Sequence, residues 1–436
     1  MRRLALAYSP VDVMWTFFVE TRISRHRGSA VLLPLAVATI LQVGCGSSSA
    51  SDGAVDAGPS DSVAAGDSGI PLFEAPPCPD GQRACGATCC PWTTTTVPTA
   101  VLAGLDPSSA LAVAIDSGGT LHVAVVTGTN GAILQHAQFD GAQWTVDVAA
   151  TAGPGLNIGF SFPALGFDLS REPLVAAVLE DPTLPMADQR RVVVARRSAG
   201  VWTTDVAAAG PVDRHLAVGT DSMGVDHVSF YRGVGLGRAW LARSPGTWSP
   251  VPAGTTRSGD LGGIDAAGNL WSFRCPMSSD SGLVFGIDRY VGSTWAWDPE
   301  PWPWQKISCP IFSDVAADAV GGVHVLHSYG VSQSIVYQST PPNRRFERFT
   351  RNGWVDAEDV RLGASPEGIP AIVESLHSRN AFVYRVRSDV GWRAGSLPRY
   401  RSTSQFYWAF AMGPGGAPAI CEFGSDTTGR SLRCSQ

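Results

Sequence analysis

The feature that most constrains this chain is a turn that recurs seven times. Where best kept it reads Asp-x-x-Gly-x-x-(His or Trp)-Val. It begins at Asp116, Asp168, Asp221, Asp265 and Asp318, and degenerates to Ser365 and Gly413. The steps between successive turns are 52, 53, 44, 53, 47 and 48 residues. The fourth position holds Gly119, Arg171, Gly224, Gly268, Gly321, Gly368 and Gly416. A turn that needs a positive φ selects glycine in this way. A repeat of roughly 40–50 residues is one supersecondary unit that cannot bury both its faces alone, and it has the size of a four-stranded propeller blade.

A second marker runs in phase with the first. A glycine followed by a tryptophan appears at Gly141/Trp144, Gly200/Trp202, Gly246/Trp248, Gly292/Trp295, Gly353/Trp354 and Gly391/Trp392. Between the markers lie apolar or alternating runs such as Leu121 to Val126, Ala132 to Phe139 and Val192 to Ala195, which read as strands. Each unit is therefore strand A, the Asp turn, strand B, a loop, strand C, a Gly turn and a Trp-led strand D. The seventh unit runs out after strand C. Its missing strand stands at the front of the domain, where Trp92-Thr93-Thr94-Thr95-Thr96-Val97 resembles Trp202-Thr203-Thr204-Asp205-Val206. Trp92 precedes Asp116 by 24 residues, the distance from Trp144 to Asp168. The expected fold is all-β: a seven-bladed β-propeller of four-stranded blades over residues 92–436. The strand Trp92–Val97 completes the last blade, because an open ring would leave strand edges and a blade face uncovered.

These units resemble a bacterial propeller repeat of the form Ala-x-Asp-x-x-Gly-x-x-His-Val, grouped with the sialidase-like (BNR-type) propellers. Ala114-Ile115-Asp116 and Ala316-Ala317-Asp318 match its opening. The resemblance implies architecture rather than activity. Family sialidases carry Ser-x-Asp-x-Gly-x-x-Trp boxes in the C–D turn, whereas this chain has Phe139-Asp140-Gly141-Ala142-Gln143-Trp144, Ser198-Ala199-Gly200 and Ser244-Pro245-Gly246 there. No Arg-Ile-Pro motif occurs, the nearest run being Gly368-Ile369-Pro370. A sialidase also needs an arginine cluster for the substrate carboxylate, a Tyr nucleophile with a Glu base, and an Asp acid.

The first 77 residues read as an address and a tether. Arg22, Arg25 and Arg27 form a basic cluster, followed by an apolar run of about 14 residues, Ala30 to Val43. That run is shorter than the roughly 20 residues needed to span a bilayer, but it has the length of a signal-peptide core. It ends in Leu41-Gln42-Val43-Gly44-Cys45, which resembles a bacterial lipobox; Gln42 stands where the family prefers Leu. The resemblance implies lipidation of Cys45 and, with Gly46 after it, sorting to the outer membrane with the domain facing the periplasm or the cell surface. Residues 1–44 are thus the signal, with Met14 an internal candidate start. Residues 45–77 are the lipidated cysteine and a tether of Ser, Ala, Gly, Asp and Pro, too poor in apolar surface to offset its ordering entropy.

Residues 78–91 form a small Cys-rich segment. With Cys45 set aside, eight cysteines remain: Cys78, Cys85, Cys89, Cys90, Cys275, Cys309, Cys421 and Cys434. An even number in an exported chain favours disulfides. Cys89 and Cys90, being adjacent, are expected to pair each with Cys78 or Cys85; a zinc knot is the alternative, without a nearby His. Cys421 with Cys434, and Cys275 with Cys309, are the other expected pairs.

Charge narrows the function. Lys and Arg number 32 against 38 Asp and Glu, a net −6, and no basic block occurs, which argues against a nucleic-acid partner. No Gly-x-Ser-x-Gly elbow, phosphate loop or dinucleotide fingerprint is present. His122, His227 and His324 share one repeat position that Leu174, Trp271, Ala371 and Ala419 fill elsewhere, so it is a packing site rather than a metal site. The repeating Asp is expected to accept hydrogen bonds from its own turn, since one turn offers too few oxygens for Ca²⁺. Candidate ligand contacts lie where strand B ends in the B–C loop: Asp181 beside Glu180, Tyr231, Arg232, His327, Tyr329, Glu374, His377, Arg379 and Glu422. This polar set with aromatics suits a sugar or a peptide.

The reading is an exported binding module, expected to be monomeric, without cofactor or metal, meeting the membrane only through its lipid. Its partner is a glycan or an envelope protein. The alternative is a divergent sialidase-like glycoside hydrolase or lyase, with carboxylates such as Asp181 and Glu374 facing each other across the channel. A third is a structural subunit of an envelope assembly.

Overall fold

The computed structural model describes residues 74–436, except 86–87, 99–101, 103–109, 154–157, 187, 213–214, 233–236, 245, 252–260, 266–267, 275–285, 292–293, 300–311, 330–333, 340–344, 351–356, 377–379, 389–390, 400–407 and 427–428. Cys45, the signal, most of the tether, Cys275, Cys309, His377 and Arg379 lie outside the described residues. The described chain is all-β, with two short 3₁₀ turns and no α-helix. None of its helical segments is long and apolar enough to cross a membrane.

Four short strands come first: β1 (Glu74–Ala75), β2 (Gln82–Cys85), β3 (Thr88–Pro91) and β4 (Thr94–Val97). Sheet one follows as β5 (Leu111–Ile115), β6 (Leu121–Thr127), β7 (Ile133–Phe139) and β8 (Trp144–Thr151). Sheet two is β9 (Gly159–Phe167), β10 (Pro173–Glu180), β11 (Arg190–Ser198) and β12 (Val201–Ala209). Sheet three is β13 (Ala217–Thr220), β14 (Asp226–Tyr231), β15 (Arg238–Ser244) and β16 (Thr247–Pro250). Sheet four is β17 (Leu261–Ile264), β18 (Leu270–Arg274), β19 (Gly286–Val291) and β20 (Thr294–Pro299). Sheet five is β21 (Phe312–Ala317), β22 (Val323–Tyr329), β23 (Ser334–Ser339) and β24 (Arg345–Thr350). Sheet six is β25 (Ala357–Ala364), β26 (Pro370–Leu376), β27 (Ala381–Ser388) and β28 (Gly391–Pro398). Sheet seven is β29 (Trp408–Met412), β30 (Pro418–Asp426) and β31 (Gly429–Ser435), with β4 as its fourth strand.

Apart from β4 in sheet seven and β1 at the edge of sheet six, the strands of each sheet form an antiparallel meander in chain order, as short turns between successive strands dictate. The second strand of a sheet is buried on both faces: β6 and β26 are buried at every residue. That is why these strands read as mainly apolar runs, interrupted by residues such as His122 and Glu374, rather than as alternations. Apolar clusters join consecutive sheets. Leu174, Val192, Val218 and Val228 join sheets two and three. Ala124, Val126, Val175 and Ala177 join one and two. Val97, Leu121, Val123, Ala419 and Cys421 join seven and one. First strands also touch in order, β5 with β9, β9 with β13, and so on to β25 with β29; β29 in turn touches β5.

The Asp turns are built alike. Asp116 Oδ1 accepts from the Gly118 and Thr120 amides, both at 2.8 Å. Asp168, Asp221 and Asp318 repeat this with their own residues two and four positions on. The fourth residue is left-handed, with φ 86° at Gly119 and 87° at Gly321. The exception in sequence, Arg171, adopts φ 65°. At Gly322 an added Cβ would meet the Asp318 carboxylate at 2.3 Å, so this second glycine is fixed by close approach.

The N-terminal strand behaves nearly as expected. β4 pairs with β31, Thr95 opposite Cys434. The strand begins at Thr94 rather than Trp92. Trp92 instead packs edge-on against Tyr384 at 5.8 Å, and Thr93 exchanges two backbone hydrogen bonds with Gln436. Cys78–Cys89, Cys85–Cys90 and Cys421–Cys434 are disulfides, the last joining directly opposed residues of β30 and β31. The first two lock the β2–β3 hairpin, whose Cys78 and Ala84 share a core with Phe382, Tyr384 and Trp408. Glu74–Ala75, placed with the tether by sequence, pair in parallel with Trp392 and Arg393 on β28. The Cys78 amide donates to Ala394 O at 2.7 Å. The hairpin and β1 thus cover the outer edge of sheet six.

Candidate functional site

Two ends of each sheet must be distinguished. The Asp turns and the C–D turns lie at one end, and the B–C loops lie at the other. The repeated His belongs to the turn end. His227 Nε2 lies 2.9 Å from Asp221 Oδ2, and His324 Nε2 lies 3.0 Å from Asp318 Oδ2. His324 Nδ1 also meets Tyr337 Oη at 2.7 Å. Each Asp therefore uses one oxygen for its turn and the other for strand B, a structural role for both residues. In sheet one the couple is looser: His122 Nε2 is 3.6 Å from Asp116, while its Nδ1 meets His136 Nε2 at 3.0 Å. Burial, with His122 and Arg197 nearby, pushes the His136 imidazole down to about 3, and burial also lowers His122. Among the described residues no group of three or more His, Cys, Asp and Glu is arranged to hold a metal.

At the loop end, most of the expected carboxylates are already engaged. Asp181, buried, accepts from the Thr183 amide at 3.1 Å and the Thr183 hydroxyl at 2.5 Å, and pairs with Arg191 at 3.2 Å. Glu180 pairs with Arg190 at 3.2 Å. Glu374 is 1% exposed and paired with Arg385. Glu422 is buried and lies 3.3 Å from Arg433. In a strand whose two faces are covered, a carboxylate is stable only with such a partner. Tyr231 is buried at the end of β14. His327 and Tyr329 sit in β22, but their side chains lie outside the described residues.

Arg232 is different. It is exposed, its amide closes the loop on Gly237 O at 2.9 Å, and it lines a cavity of about 350 Å³. The walls come from sheets two, three and four: Pro211, Phe230, Arg238, Trp240, Pro250 and Trp295 among them. Trp240 and Trp295 meet at 5.7 Å between ring centres. Arg238 is held below Trp240 by His215 O, at 2.8 and 2.7 Å from its two terminal nitrogens, and by Ser229 Oγ at 2.7 Å. The Trp240 indole N–H is buried and has no hydrogen-bond partner among the described residues. Among the described residues that line it there is no carboxylate. The site is an apolar, aromatic hollow with two guanidinium groups. Such a hollow can offer aromatic faces to apolar ring surfaces and N–H donors to hydroxyl or anionic oxygens.

Of the described residues expected from sequence as ligand contacts, only Arg232 lines this cavity. Trp295 is visible in the sequence as part of the Gly–Trp series; it packs on Trp240 and also forms a wall. Arg238 and Trp240 carried no repeat signal. Their separation by two on one strand, which sends both side chains to one face, was the available clue.

No family model matches the chain, and no curated protein does. Solved structures resemble it at low identity. The SapL1 lectin in complex with alpha methyl fucoside is 11% identical, with a TM-score of 0.42, over 69% of this chain and all (100%) of that one. The alpha-L-arabinanase of Penicillium chrysogenum complexed with arabinobiose is 12% identical, TM-score 0.41, over 79% and 98%. The Hadza microbial sialidase Hz136 is 13% identical, TM-score 0.40, over 72% and 73%.

Proposed function

We propose that this chain is an exported binding module, lipid-anchored through Cys45 in the outer membrane. Its seven sheets close into a seven-bladed propeller that holds a saccharide at the loop end. Closure is supported by the unbroken order of first-strand contacts, with β29 against β5, and by β4 serving as the fourth strand of sheet seven. The observation that carries the binding reading is the cavity at Arg232, Trp240 and Trp295. Its volume lies within the usual range for small-ligand sites, and two indoles tilted against each other, with nearby N–H donors, suit a sugar ring. Binding is favoured over hydrolysis because the described lining residues include no carboxylate, while Asp181, Glu374 and Glu422 are spoken for by arginines.

The test is a glycan array probed with the mature chain from an oxidising compartment, followed by titration of any hit. Arg232→Ala is expected to weaken binding about tenfold, the scale of one lost charge-assisted hydrogen bond, with the melting temperature unchanged. A hit whose affinity ignores both Arg232→Ala and Trp295→Ala would place the ligand elsewhere. A blank array with folded protein would sink the saccharide reading.

A further inference from the structure

Saccharide binding at the loop end leaves the buried histidines of the turn end unused. Sheets one, three and five each bury one at the start of strand B: His122, His227 and His324. In sheets three and five an Asp oxygen lies 2.9 and 3.0 Å from the ring, so the carboxylate that a charged ring would need is in place. In sheet one Asp116 stands off at 3.6 Å, and the hydrogen-bond partner is a second buried imidazole, His136 of β7, at 3.0 Å.

This couple sits in the seam between sheets one and two. His122 packs edge-on against Phe167 of β9 at 4.9 Å, and His136 lies 5.3 Å from Trp202 of β12 between ring centres. Ala124, Val126 and Leu134 continue the same face of sheet one into an apolar cluster with Phe160 and Val175. Charged groups face the couple from both sheets. Asp116 stands in its turn, and Asp147 lies opposite His136 on β8. Arg197 of β11 donates to Gln138 and pairs with Asp147. Arg171, in the turn of sheet two, comes within 3.1 Å of where a Cβ on Gly118 would sit.

Proton counting limits what this arrangement tolerates. A contact between two ring nitrogens needs a hydrogen on one and a lone pair on the other, so both rings cannot be charged at once. A charged His136 would also bury its Nδ1–H, and that nitrogen has no hydrogen-bond partner among the described residues; nor has His122 Nε2. Burial is the main cause that lowers both rings, and it brings His136 from an ordinary 6.5 to about 3. In an opened seam the ring regains its ordinary value. Between about pH 3 and 6.5 the open form therefore binds a proton that the closed form does not, and the closed form loses stability as pH falls through that window.

We propose that the seam between sheets one and two is an acid-sensitive joint, which a proton on the His122–His136 couple loosens while sheets three and five stay packed.

The experiment is hydrogen exchange read by mass spectrometry, on the intact, disulfide-bonded chain at pH 8 and pH 5. Each measured rate is divided by the intrinsic rate at that pH. A ring moved from 6.5 to about 3 multiplies opening about thirtyfold at pH 5 relative to pH 8. The amides of β6 and β7 are expected to show that rise, and those of β14 and β22 a change under about threefold. His136→Leu, which cannot take the proton, should abolish the rise. An equal rise in all of these strands overturns the proposal, since that is general acid unfolding. So does no rise in β6 and β7, or a rise that survives in His136→Leu. Should His136→Leu fail to fold, carbon-13 shifts of the histidine rings decide. A neutral His136 in the closed protein at pH 5 is the expected result, and a charged one overturns the proposal.

Discussion

The two ends of the sheets differ in kind. At the turn end the same hydrogen bonds recur from sheet to sheet: Asp Oδ1 to two amides, Asp Oδ2 to the strand-B histidine. At the loop end what recurs is a carboxylate at the end of strand B paired with an arginine of strand C: Asp181 with Arg191, Glu374 with Arg385 and Glu422 with Arg433. Arg232, at that end of sheet three, opens on a cavity instead. Repetition marks what the sheets use in order to turn and pack. A departure from it marks where a sheet has diverged, and buried pairs and an open site sit side by side there. A polar residue at the loop end is therefore not by itself a ligand contact; its partner decides.

The largest expected effect tests that distinction at the loop end. Glu374→Ala takes the carboxylate from Arg385 in a strand buried on both faces. Denaturant unfolding should show a loss of about 3–5 kcal/mol, as for one half of a buried ion pair. A loss under about 1 kcal/mol, measured on folded variant, would return Glu374 to the ligand candidates.

A somewhat smaller loss is expected at the turn end. Asp318→Ala removes acceptors from the Val320 and Gly322 amides and from His324. About 2–3 kcal/mol should go with these buried hydrogen bonds. If Asp318→Ala proves neutral by thermal unfolding, the recurrent Asp is not what holds the turn.

The smallest effect concerns the one turn that breaks the glycine rule. Arg171 holds φ 65°, a conformation that costs a side-chain-bearing residue about 1–2 kcal/mol. Glycine there relieves that strain but adds about 0.5–1 kcal/mol of unfolded-chain entropy. Arg171→Gly should therefore gain about 0.5 kcal/mol. A clear loss of stability would show that the Arg171 guanidinium, near Gly118 in the turn of sheet one, contributes more than the strain removes.

The turn end was legible in the sequence because its constraints are local. Asp, Gly and His lie within seven residues of one another, so their spacing alone states the hydrogen bonds. The paired cysteines were legible for a similar reason: Cys421 and Cys434 follow from adjacent strands, and the cluster from Cys78 to Cys90 from short separations. The site was hardly legible. Its walls come from three sheets, and Phe230, Trp240 and Trp295 look in sequence like any aromatic in a strand. The parallel pairing of β1 with β28 was also hidden, since two residues of a polar tether against an edge strand leave no pattern.

By itself the sequence determined the repeat, the four-strand unit, the strand borrowed from the front of the domain, and the class of the cysteine pairs. Periodicity and turn chemistry act over a few residues, so the order of residues contains them. The tertiary structure decided which loop-end residues are free. Arg232 borders a cavity while Glu374 is buried against Arg385, and only packing brings such partners together from separate strands and sheets.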